Sequence, residues 1–102
     1  MNRSEPVACT LTATDLESQR ERWLALYRDF GRGREGTEDG FRLRFRDDNS
    51  VAEELQTLIA VENVCCAWAS WSVAREEDSI VMVARSTGTG VATLHAMLPA
   101  FA

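Results

Sequence analysis

No run in this sequence approaches the ~18 consecutive apolar residues that a membrane-spanning helix needs. The first ten residues, MNRSEPVACT, hold one arginine and no long apolar region, so they do not read as a signal peptide. The formal net charge is −5, which leaves no overall basic field to draw the chain to nucleic acid or to an anionic membrane. Paired C-x-x-C motifs are missing, and that argues against a structural zinc site. There are three cysteines, an odd number that fits no closed disulfide framework. A cytoplasmic protein with reduced thiols is the expectation. Internal repeats and low-complexity segments are also lacking. With 102 residues, the chain is expected to form a single domain around one core.

The most informative stretch present is Ser50–Trp71, SVAEELQTLIAVENVCCAWASW. Ser50 and Glu53 have the spacing of a capping box, which predicts a helix start there. Val51, Leu55, Leu58 and Ile59 then share one side at helical spacing, and that side should face the core. Continuing at ~100° per residue places Glu62 near the middle of the same stripe. Cys65 and Cys66 follow at i+3 and i+4. This helix is predicted to end near Trp68.

Around it the chain reads as α+β. Val7, Cys9 and Leu11 alternate as a short first strand with Cys9 on its apolar side. Thr14 and Glu17 suggest a second capping box, opening a helix whose stripe is Leu16, Trp23, Tyr27 and Phe30, with Arg20 inside it. Gly31 ends that helix as a glycine C-cap. Residues 31–40, GRGREGTEDG, contain no apolar side chain and read as a flexible surface loop. Phe41, Leu43 and Phe45 alternate with Arg42, Arg44 and Arg46 in a strand. Trp71–Glu76 and Ser79–Ala84 form a hairpin around Glu77-Asp78. The second of these, SIVMVA, is apolar on both faces, so it belongs in the middle of a sheet or under a homodimer contact. A last helix carries Val91, Leu94 and Leu98, with His95 near its buried side. The predicted order is β-α-β-α-β-β-α, a two-layer domain with helices on one face of a four-stranded sheet.

A carboxylate on a core face is costly unless it is paired and hydrogen-bonded. Two readings of Glu62 follow. In the first, Glu62 forms an ion pair with Arg20, and Cys65 and Cys66 are buried packing residues. The chain is then a non-enzymatic dimerisation or interaction module. In the second, Cys9, Cys65, Cys66 and Glu62 gather at one end of the helix. Three thiols and a carboxylate form a soft donor set for a thiophilic metal or metalloid. Within a helix the side chains of adjacent cysteines diverge by ~100°, so both sulfurs rarely chelate one ion. A strongly activated thiolate is disfavoured by the helix C-terminal dipole and by the Glu62 carboxylate, unless Arg20 or His95 compensates. Binding is therefore favoured over catalysis, and no cofactor beyond a soft metal ion is implied. His95, the single histidine, reads as a packed residue before it reads as a ligand. The Arg42, Arg44 and Arg46 face reads first as solvated surface, then as a dimer contact or an anion site. Trp23, Trp68 and Trp71 are simplest as core or interface anchors.

The segments ACTLT, Arg20 ahead of Trp23, DGFRLRF and above all ENVCCAW resemble a group of small bacterial proteins that share an E-x-x-C-C motif. In that group the motif is usually followed by proline and an aromatic residue, and members are often met with heavy-metal, particularly mercury, resistance genes. The resemblance runs from about Ala8 to Leu98. It marks Glu62, Cys65 and Cys66, and secondarily Cys9 and Arg20. Ala67 stands where the group has proline, and Trp68 is the aromatic residue. The resemblance implies a link to soft-metal resistance without implying a reaction.

Overall fold

Alternation in FRLRF builds the centre of the sheet. In the computed structural model, which describes residues 13–65 and 67–101, strand β2 (Gly40–Arg46) turns Phe41, Leu43 and Phe45 to the core and its arginines to the other face. Strand β4 (Ser79–Ser86) pairs with it antiparallel, with Phe41 opposite Ala84, Leu43 opposite Met82 and Phe45 opposite Ile80. Strand β3 (Ala69–Glu76) lies on the far side of β4 and sets Trp71 against Ala84 and Val73 against Met82. The strand order is β1-β2-β4-β3, all antiparallel. SIVMVA is apolar on both faces because β4 is an inner strand. Its Val81 points away from the helices yet is only 1% exposed.

Three helices cover one face of this sheet. They are α1 (Ala13–Phe30), α2 (Asn49–Cys65) and α3 (Thr89–Met97), with a short 3-10 turn at Leu98–Ala100. The α+β class and the four-stranded sheet under helices are as predicted. Val51, Leu55, Leu58 and Ile59 are all buried, which confirms the α2 stripe. No helix among the described residues is long and apolar enough to cross a membrane. The strand expected at Val7–Leu11 lies outside the described residues, and so does Cys9.

The fourth strand is instead β1, Gly31–Thr37, in the segment expected to be a loop. An edge strand needs main-chain pairing and little side-chain burial, so GRGREGT forms one without an apolar residue. Its hairpin with β2 is pinned from several sides. The Asp39 carbonyl accepts the Ser86 N–H at 2.8 Å, and the Asp39 carboxylate accepts Arg85 Nε at 2.8 Å. That guanidinium holds the Asp39 carboxyl below its ordinary range. Arg34 donates to the Leu98 carbonyl at 2.7 Å. Gly31 follows the last residue of α1 as expected, but close approach is what demands a glycine. A Cβ at this position would collide with the Tyr27 carbonyl oxygen.

Both predicted capping boxes are displaced. Thr14 lies inside α1, which is already helical at Ala13. Helix α2 starts at Asn49, and Asp48 is its cap: the carboxylate accepts the Ser50 N–H at 2.8 Å and the Ser50 hydroxyl at 2.6 Å. Two donors outcompete the single one that Ser50 could have engaged as a cap. These bonds lower the Asp48 carboxyl below its ordinary value, the hydroxyl contributing most. A carboxyl lowered by folding stabilises above its unfolded value and loses that contribution as pH falls through the folded one. Asp48→Ala should therefore lower the melting temperature at pH 7. The gap between variant and wild type should begin to close only below about pH 4. Melting curves at stepped pH check this.

Candidate functional site

Glu62 sits on the core side of α2, as its spacing predicted, and is 7% exposed. Its burial is offset by neutral donors from α1. Trp23 Nε1 donates to Glu62 Oε2 at 2.8 Å, and Gln19 Nε2 donates to the same oxygen at 3.1 Å. Gln19 Nε2 also reaches the Leu58 carbonyl at 3.2 Å. The predicted ion pair with Arg20 is not among those the described residues form. Helix α1 is rotated from its predicted face: Gln19, Trp23 and Leu26 are buried, while Arg20 is exposed and Leu16 is 45% exposed. The signal for Gln19 was present. It lies four residues before Trp23 and seven before Leu26, on one helical side. A glutamine there reads as solvated until a buried acceptor is known.

The next residue is fixed from the opposite direction. Asn63 Nδ2 donates to the Trp71 carbonyl at 3.0 Å, and Asn63 Oδ1 accepts the Trp71 N–H at 3.2 Å. The last turn of α2 is thus tied to α1 through Glu62 and to the β3 main chain through Asn63. The described helix runs to Cys65, and Ala67-Trp68 form a turn into β3 where the helix was predicted to end. The Cys65 side chain and all of Cys66 lie outside what the structure describes, as does Cys9. Among the described residues, no group of three histidine, cysteine, aspartate or glutamate side chains converges.

Glu62 is part of the wall of a cavity of about 670 Å³ formed by described residues of all three helices and the inner sheet face. That volume is within the range of small-molecule sites, roughly 300–1,000 Å³. Trp23, Trp68, Trp71, Phe41 and Phe101 supply the aromatic lining. Trp23 and Trp71 lie 6.1 Å apart, and Phe41 meets Trp71 edge-on at 6.3 Å. Trp23 and Trp71 are core, as anticipated. Trp68 is half-buried, and its Nε1 is buried with no hydrogen-bond partner among the described residues. Its ring lies close to Gly90 of α3. Arg20 and Glu17 are also on the cavity wall. His95 is not: it is exposed, and its Nε2 donates to the Thr37 carbonyl at 2.7 Å, strapping α3 to the β1–β2 hairpin.

Two of the three arginines on the outer face of β2 are engaged, Arg42 within the sheet and Arg46 by the end of α1. Arg42 lies 3.7 Å from Glu35 and 3.6 Å from Glu76, and the Arg46 guanidinium sits 4.9 Å over the Phe30 ring. These contacts compete with any external anion for Arg42 and Arg46. Comparison with known proteins matches no family model, no curated protein and no solved structure.

Proposed function

We propose that this protein binds a thiophilic metal ion or metalloid through Cys65 and Cys66, in a reducing, cytoplasmic setting. Cys9 supplies a further thiol, and Glu62 acts as a weak ligand or a proton relay. The observation that carries the reading is the pinned last turn of α2: a buried carboxylate on a cavity wall, one turn before the cysteine pair. Holding that turn through Glu62 and Asn63 gives the segment that leads into the pair a rigid base, and rigid support is what a binding site needs. The resemblance to E-x-x-C-C proteins found near metal-resistance genes supports the same reading.

The competing proposal is a homodimerisation module. Its central ion pair is replaced by neutral donors, so its support rests on the sheet face opposite the described helices, where Arg44 is exposed and Val83 half-buried. Native mass spectrometry of reduced protein separates the two. One equivalent of Zn(II), Hg(II) or As(III), added in separate samples, should give a single stoichiometric adduct with at least one of them. Cys65→Ser with Cys66→Ser should abolish it. Adducts unchanged in that variant, or a dimer with no adduct in folded protein, would favour the module.

A further inference from the structure

Among the described residues, Glu62 is a buried carboxylate without a cationic partner. Both of its donors are neutral, and both bond to Oε2; no described residue donates to Oε1. The ionisable side chains on the described cavity wall are Glu17, Arg20 and Glu62, two carboxylates against one guanidinium. Arg20 is exposed and forms no ion pair among the described residues. The same wall carries the rings of Trp23, Trp71 and Phe41, and it is the face of an aromatic ring, not its edge, that attracts positive charge. A bare metal ion would fill only a small part of about 670 Å³.

We propose that this cavity is a binding site for a small organic cation: an aryl- or alkylammonium whose charged head lies against Glu62 and whose apolar body packs on the aromatic walls. An apolar neutral ligand would leave the carboxylate without a counter-charge. An organic anion would meet it directly, and among the described wall residues Glu17 and Glu62 outnumber Arg20. An ammonium head satisfies Glu62 and gains from the indole and phenyl faces at the same time. None of the described wall residues is a cysteine, and the binding is tested without any metal, so its failure is distinguishable from failure of thiophile binding.

The test is an NMR titration of the full 102-residue chain with benzyltrimethylammonium, benzyl alcohol and benzoate, following the Trp23 indole N–H that bonds to Glu62. The ammonium should bind at least about tenfold more tightly than the alcohol, with benzoate weakest, and should shift the Trp23 indole signal. Glu62→Gln keeps an acceptor oxygen for Trp23 and Gln19 but removes the charge, and should erase the preference for the cation. Cys65→Ser with Cys66→Ser should leave it intact. Equal binding of the three probes, a preference that survives Glu62→Gln, or an unmoved Trp23 indole signal in the wild type would each overturn the proposal. If the Glu62→Gln protein fails to fold, the three-probe comparison on the wild type still decides.

Discussion

Phe45→Ala lowers stability by about 3–5 kcal/mol, at the upper end of what a single core truncation costs. Phe45 has no exposed surface, faces Ile80 across the β2–β4 ladder and meets Tyr27 edge-on at 5.9 Å. It joins the sheet to α1 at a place where little can move in to fill the space. The loss combines the transfer free energy of a phenyl ring with the cost of the cavity it leaves. Domains of this size have roughly 5–15 kcal/mol in total, so about a fifth or more of the stability goes. At roughly 4–8 °C per kcal/mol, the melting temperature falls by at least about 12 °C. Val64→Ala is the matched control. Val64 is 77% exposed on α2, and its truncation should stay within about 0.5 kcal/mol of wild type. Calorimetry of both variants checks the pair. A small loss for Phe45→Ala would mean that the sheet and α1 do not pack as described.

The second large effect is at Glu62, where two substitutions of similar size should behave differently. Glu62→Leu leaves the Trp23 indole N–H without its acceptor and deprives Gln19 of one of two. A buried donor left unmade costs about 1–3 kcal/mol, so a loss of about 2–3 kcal/mol is expected even though leucine suits the apolar stripe. Glu62→Gln keeps an oxygen in place. It exchanges charge-assisted bonds for neutral ones and should cost under about 1.5 kcal/mol. Denaturant titration of the three proteins tests the order. Equal stability of wild type and Glu62→Leu would show that the α1–α2 contact does not rely on the carboxylate.

Much of this architecture was legible wherever burial had a strict period. FRLRF had to lie half-buried, and SIVMVA needed cover on both faces; β2 and β4 satisfy these demands side by side. The α2 stripe placed Glu62 on the core side for the same reason. What escaped the sequence depended on partners. Gln19 is polar by type and buried only because Glu62 and the Leu58 carbonyl receive its amide. The face that α1 buries is chosen by what lies beneath it, so the rotation that exposes Leu16 and Arg20 was not encoded in α1 alone. Strand β1 carries no apolar pattern because its pairing is main-chain, and composition is silent about that. At the start of α2, Asp48 and Ser50 are both good caps by type. The choice between them was made by geometry, since Asp48 can receive two bonds from Ser50.

Neither the aromatic cavity nor its carboxylate-rich wall has a linear signature. Phe41, Trp71 and Phe101 come from distant segments and meet only once the sheet and α3 are assembled. The E-x-x-C-C motif was visible from the start, but its meaning depends on what the last turn of α2 is tied to. Glu62 and Asn63 supply that: one residue reaches α1 and the next reaches β3.

If the cysteine pair at the end of α2 is a thiophile site, a soft metal should settle on its sulfurs ahead of every other group in the protein. Crystals of reduced protein loaded with one equivalent of Hg(II), measured at the mercury absorption edge, test this most directly, because the anomalous signal locates the metal. One dominant peak bonded to Sγ of Cys65 or Cys66 is the predicted result. Mercury on Cys9 alone, or scattered over surface carboxylates with Cys65 and Cys66 unmodified, would contradict it.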